Sequence, residues 1–104
     1  MNLLFKSYNF ASYQCDRSRC FYIDFGHKTV KLSFCQLLSL RQKVQKIDLD
    51  SHFDKDLNYS GIEILTLCNR EHLFILDTMQ VIEMKELIKA TFGMLELNSL
   101  VTHS

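Results

Sequence analysis

Phe21-Tyr22-Ile23-Asp24-Phe25-Gly26-His27-Lys28-Thr29-Val30-Lys31-Leu32-Ser33 contains a whole hairpin and the start of a helix. Large apolar and more polar residues alternate from Phe21 to Phe25, as on a half-buried strand, and alternate again from Lys28 to Leu32. Gly26-His27 lies between the runs as the turn, with Gly tolerating a positive φ. Ser33 occupies an N-cap position, where its hydroxyl accepts from the free N–H groups of the turn that follows. Beyond it, Phe34, Leu37, Leu38, Val44 and Ile47 fall on one helical stripe, with Leu40 and Arg41 at its edge. Arg41, Lys43 and Lys46 gather toward the helix C-terminus, where the dipole favours cations.

The same ββα plan recurs 44 residues later without gaps. Ile62–Cys68 reads as a strand, Asn69-Arg70-Glu71 as a turn and His72–Leu76 as the return strand. Asp77-Thr78 caps a helix from about Met79, with Val81, Ile82, Leu87, Ile88 and Phe92 apolar and Gly93 interrupting it near its end. Phe21 maps onto Leu65, Ile23 onto Leu67, Val30 onto Phe74, Leu32 onto Leu76, Ser33 onto Asp77, Gln36 onto Gln80 and Leu37 onto Val81. Few of these pairs are identical, so a duplication is a hypothesis.

With one more strand near Leu3–Phe10, the pattern predicts a single α+β domain over residues 1–104. It is a two-layer domain with a mainly antiparallel sheet built from two similar ββα units, at about 20–47 and 62–92, and both helices on one face. An acidic loop, 48–60, joins the units. Helices on one side leave the other sheet face uncovered, and an exposed apolar sheet face marks association.

The whole chain has 104 residues, 12 Lys plus Arg and 12 Asp plus Glu, so its formal net charge is zero. That balance argues against a dedicated nucleic-acid binder or a polybasic membrane anchor. It conceals a split: residues 1–46 carry a net +6 and residues 47–104 a net −6. Either the halves lie side by side and cancel, or the basic half of one copy meets the acidic half of another. No apolar run approaches the roughly 18 residues of a spanning helix, and Met1–Lys6 is too short an apolar start for a signal peptide. The expectation is a cytoplasmic protein with reduced thiols, in which Cys35 and Cys68 act as small buried hydrophobes.

Several chemistries can be tested against the residues. Asp54-Lys55-Asp56-Leu57-Asn58 begins like a calcium loop, but the sixth position is Tyr59 and the twelfth Leu65, where Gly and Glu are required. Cys15 and Cys20 are weak candidates for zinc, having a four-residue gap and no second tight pair. Arg17 and Arg19 would lower a neighbouring thiol pKa, so a reactive thiol is an equal reading. A Cys/His catalytic pair could be drawn from Cys35 or Cys68 with His27, His52 or His72 only if they were within hydrogen-bond reach. Arg17, Arg19, Lys28 and Lys31 stand among Tyr13, Phe21, Tyr22 and Phe25, a mixture suited to stacking nucleic-acid bases on a sheet. The acidic second half opposes that partner.

Tyr13-Gln14-Cys15, Ile23-Asp24-Phe25-Gly26-His27 and Val30-Lys31-Leu32-Ser33, followed by the helix with Leu37, resemble an uncharacterised family of short Bacteroidota proteins. Its pattern is a Cys pair, a strand ending in Phe-Gly-Asn, a strand ending in Leu-Ser and a capped helix. The resemblance covers mostly residues 13–40. It departs at Ser18, where the family has its second Cys, and at His27, where it has Asn. The resemblance implies a bacterial, cytoplasmic protein and carries no activity.

These readings converge on a small interaction module, homodimeric, with no catalytic centre, no cofactor and no membrane partner; a different protein partner is a further option. Arg17, Arg19, Tyr22 and His27 are the candidate binding residues. The alternatives are a nucleic-acid-binding or regulatory protein using the basic half, and a thiol- or zinc-dependent protein using Cys15 and Cys20.

Overall fold

The computed structural model describes residues 2–15, 19–48, 62–68 and 70–103, with side chains described through residue 97. Arg17, His52 and the 48–60 loop beyond Asp48 lie outside the described residues. Among the described residues the fold is α+β, with two antiparallel sheets and two helices.

The chain opens with a hairpin where the pattern predicts one strand. β1 (Asn2–Lys6) pairs with β2 (Ala11–Gln14), and the residues between them turn back on Ser7. Its N–H donates to the Phe10 carbonyl at 2.8 Å, and its hydroxyl reaches the same carbonyl at 3.2 Å. Ser and Asn are turn formers because their side chains bond to nearby backbone, and Ser7-Tyr8-Asn9 carries both. A register shift between Leu3 and Phe5 is a bulge that leaves Leu4 buried.

β3 (Cys20–Asp24) and β4 (Thr29–Ser33) complete a sheet of order β1-β2-β3-β4. The turn between them uses Gly26 at φ 94°, and the Gly26 N–H is held by Asp24 Oδ1 at 2.8 Å. Ser12, Ile23 and Val30 are register partners on the inner face, as are Phe21 and Leu32. α1 (Phe34–Gln45) lies over β3 and β4, while α2 (Thr78–His103) lies over β1 and β2. The Ser12 and Thr91 hydroxyls meet at 2.6 Å under α2, both fully buried.

β5 (Ile62–Leu67) and β6 (His72–Asp77) form a separate two-stranded sheet and do not extend the first one. Side chains join the two sheets: the Phe25 ring stacks on Phe74 at 3.8 Å and 13°, and Phe10 meets Phe25 edge-on at 5.7 Å. One apolar core runs through both units.

The 44-residue correspondence extends to packing. Phe21 and Leu65, Ile23 and Leu67, Val30 and Phe74, Leu32 and Leu76, and Leu37 and Val81 are all buried. Both helices start in a capping box. The Gln36 N–H donates to Ser33 Oγ at 3.2 Å and Gln36 Oε1 accepts from the Ser33 N–H at 2.8 Å. The Gln80 N–H donates to Asp77 Oδ1 at 2.8 Å and Gln80 Oε1 accepts from the Asp77 N–H at 2.9 Å. Strand pairing keeps the same faces but slips by two residues, since Phe21 faces Leu32 whereas Leu65 faces Phe74. A slip of two preserves which side chains point inward.

Two helix details correct the sequence reading. α1 buries Leu37, Leu40 and Val44, leaving Phe34 exposed, so the stripe centres on Leu40 rather than beside it. The helix ends at Gln45 with Lys46 as cap, two residues short of Ile47, whose N–H donates to the Val44 carbonyl at 3.2 Å. α2 continues through Gly93 to His103: Gly93 is exposed without a positive φ, and its neighbours Phe92, Met94 and Leu95 pack against the core. Its buried side chains are Val81, Met84, Leu87, Ile88 and Thr91. The Arg41 guanidinium stands 4.3 Å over the Phe92 ring and ties the helices together.

Two lysines join the basic and acidic parts of the sequence within one chain. Lys43 Nζ donates to the Thr66 carbonyl at 2.6 Å, and Lys85 Nζ donates to the Val44 carbonyl near the end of α1 at 2.9 Å. The second contact places a cation where the helix dipole is negative.

Candidate functional site

The β5–β6 hairpin has two faces of opposite use. Leu65, Leu67, Phe74 and Leu76 point into the core. Ile62, Ile64, Leu73 and Ile75 point away from it, each 47% to 64% exposed. Ile64 faces Ile75 directly, and Thr66 faces Leu73 on the same side. Apart from Thr66 on the outer side and Glu63 on the inner, the middle of both strands alternates apolar-in with apolar-out, where a solvated strand alternates apolar with polar. Four β-branched or leucine side chains on a two-stranded ribbon form an apolar patch that stays in water.

The outer face of the four-stranded sheet differs. Leu3, Tyr13, Tyr22 and Lys31 are successive register partners and make one row across all four strands. Phe21 and Phe25, which the sequence offered as stacking residues, are buried in the core and unavailable. Sequence alternation made Phe25 the last residue of the strand, which ends at Asp24, and did not show that Phe74 would cover its ring.

The candidate residues separate into two groups. Cys15, Arg19 and Cys20 lie where the end of β2 meets the start of β3, and Tyr22 is two residues further along β3. Cys15 is half-buried and Cys20 buried. The Tyr22 phenol is held above its ordinary pKa, chiefly by a hydrogen bond with the Cys20 thiol and also by the proximity of Cys15. His27 stands at the opposite end of β3, in the turn to β4, with its ring 5.7 Å from Phe74 and edge-on. Tyr22 and His27 thus do not share a site.

Cys35 and Cys68 are not the small buried pair expected. Cys35 is exposed in the first turn of α1, whose inward positions are taken by Leu37 and Leu40, and Cys68 is half-buried. Both line a cleft of about 570 Å³ with Gln36, Ser39, Lys43 and Arg70. Burial raises the Cys68 thiol pKa, Glu71 raises it further, and Lys43 opposes both. Cys68 at φ 55° and Arg70 at φ 71° turn the chain there without glycine. Sequence placed Cys68 at the end of a strand and carried no signal for this cleft, which α1 and the β5–β6 turn build together.

Among the described residues, no cluster of three or more His, Cys, Asp or Glu side chains could hold a metal ion, and no helix is long and apolar enough to cross a membrane. The chain matches no known protein family, curated protein or solved structure.

Proposed function

We propose that the protein is a small interaction module that pairs with a second copy of itself through the outer face of the β5–β6 hairpin, without a catalytic centre. The observation behind this reading is the row Ile62, Ile64, Leu73 and Ile75, exposed on the side of the ribbon turned from the core. A face carrying an Ile–Ile cross-strand pair suits a two-fold interface, in which one patch meets its own copy. The charge split adds little, because the two halves already contact each other within the chain.

Magnitudes set the expected strength. Four such side chains leave about 400 Å² of apolar surface per protomer, roughly half the area each partner gives a stable complex. At about 25 cal/mol per Å² this is roughly 10 kcal/mol per protomer, against an association cost of about 4–15 kcal/mol. With about 800 Å² buried in total, the dimer belongs among the weak, transient ones. A bacterial, cytoplasmic setting is the expectation that the resemblance over residues 13–40 implies.

Sedimentation velocity across a concentration series tests the reading. The unaltered chain shifts from monomer to dimer by tens of micromolar, and Ile64→Lys with Ile75→Lys stays monomeric with unchanged circular dichroism. A monomer at every concentration, or a dimer that survives both substitutions, overturns it.

A second reading rests on the Leu3-Tyr13-Tyr22-Lys31 row, where two phenol rings beside a cation could stack unpaired bases. It predicts oligonucleotide binding that weakens with salt and with Tyr13→Ala and Tyr22→Ala. No binding at low salt removes it.

A further inference from the structure

Gln14 and Phe21 are the last register partners of β2 and β3, and the Cys15 N–H donates to the Cys20 carbonyl at 3.0 Å. Cys15 and Cys20 are therefore the next facing pair, one step beyond the end of β2. Side chains alternate across a strand, so both thiols emerge on the outer face that carries Tyr13 and Tyr22. The raised pKa of the Tyr22 phenol, caused chiefly by hydrogen bonding with the Cys20 thiol, agrees with this placement of Cys20.

We infer that Cys15 and Cys20 form a reversible dithiol–disulfide site whose oxidant is a low-molecular-weight disulfide of the glutathione type. A hydrogen-bonded antiparallel pair holds its Cα atoms about 5.5 Å apart, inside the roughly 4.4–6.8 Å range that a disulfide bridges. Directly opposed Cβ atoms lie about 4.5–5.5 Å apart, widest in hydrogen-bonded pairs, while a relaxed disulfide wants about 3.8 Å. The bond therefore closes by drawing the end of the hairpin together, which makes it easier to reduce than a structural disulfide.

Exposure orders the steps. Cys15 is the more accessible thiol and Cys20 is buried beside it. The Cys15 thiolate attacks one sulfur of the oxidant, whose S–S bond breaks and releases one thiolate. Cys20 then gives up its proton, attacks the Cys15 sulfur of the mixed disulfide and expels the second thiolate. The protein loses two electrons and two protons, and the oxidant becomes two thiols that carry both. Cys35 and Cys68 take no part, being in the cleft beside α1.

Trypsin gives a direct readout, because Arg17 and Arg19 lie between the two cysteines. The intact chain is equilibrated with oxidised and reduced glutathione, alkylated and digested without reductant. The expected product joins peptides 7–17 and 20–28, forms in a species that runs as a monomer, and disappears with dithiothreitol. Cys20→Ser traps a glutathione adduct on Cys15, and Cys15→Ser loses the joined peptides altogether. Absence of the joined peptides at every glutathione ratio overturns the assignment, as does a Cys35–Cys68 link in their place or a link found only between chains.

Discussion

The Phe25 ring lies flat on the Phe74 ring, with centroids 3.8 Å apart. Phe25 follows β3 in the four-stranded sheet and Phe74 belongs to β6 in the hairpin, so this stack spans the two sheets that share no backbone pairing. Phe10 and His27 close around it edge-on. Phe74→Ala removes the ring from the junction and leaves a cavity between the sheets. The expected loss is about 3–5 kcal/mol, read as a lower denaturant midpoint in urea unfolding.

Among the described residues, Ser12 and Thr91 are the buried polar ones, and their hydroxyls satisfy each other at 2.6 Å. Removing one strands the other. Ser12→Ala is expected to cost about 1–3 kcal/mol because the Thr91 hydroxyl loses its partner. Ser12→Ala combined with Thr91→Val removes both groups and costs less than the two single changes added together. A double-mutant cycle by chemical unfolding measures this coupling.

Glu83 ties α2 to the first hairpin. Its Oε1 accepts from the Asn9 N–H, and its Oε2 accepts from Asn9 Nδ2 at 2.7 Å. Partial burial pushes its pKa upward, but bonds from the Asn9 backbone, the Ser7 and Asn9 side chains and the Phe10 backbone outweigh this and bring it below the ordinary glutamate value. A carboxyl lowered in the folded state adds stability at neutral pH and loses it as pH falls through that lowered pKa. Glu83→Gln is expected to lower the neutral-pH midpoint and to narrow its gap to the unaltered chain in acid. Unfolding midpoints from pH 7 down to acid check the sign.

Gly93 lies in the body of α2 with an open surround. A methyl there meets nothing, and Ala gives up less backbone entropy than Gly. Gly93→Ala is expected to stabilise the protein by about 0.5–1 kcal/mol, with a higher melting temperature in calorimetry.

Local sequence determined the second ββα unit as fully as the first. Alternation fixed which of Phe21, Ile23, Val30 and Leu32 face inward, and the 44-residue echo carried the same faces to Leu65, Leu67, Phe74 and Leu76. Ser33 with Gln36 and Asp77 with Gln80 marked both helix starts, because a capping box closes within four residues and needs no distant partner. The apolar outer residues of the hairpin were equally visible as Ile and Leu in alternate positions.

Tertiary structure alone decided what met what. No local pattern distinguishes six strands in one sheet from four strands and a separate pair, since backbone pairing across residues far apart depends on which edges come within reach. Ser7 divided the N-terminal stretch by bonding back to Phe10, where Ser7 and Asn9 allow a turn but only the pairing of β1 with β2 requires one. Cys35 faced water because Leu37 and Leu40 claimed the buried side of α1, and Cys15 reached Cys20 because β2 and β3 paired in one register rather than another. Spacing along the chain names the thiols; only the register of two strands brings them together.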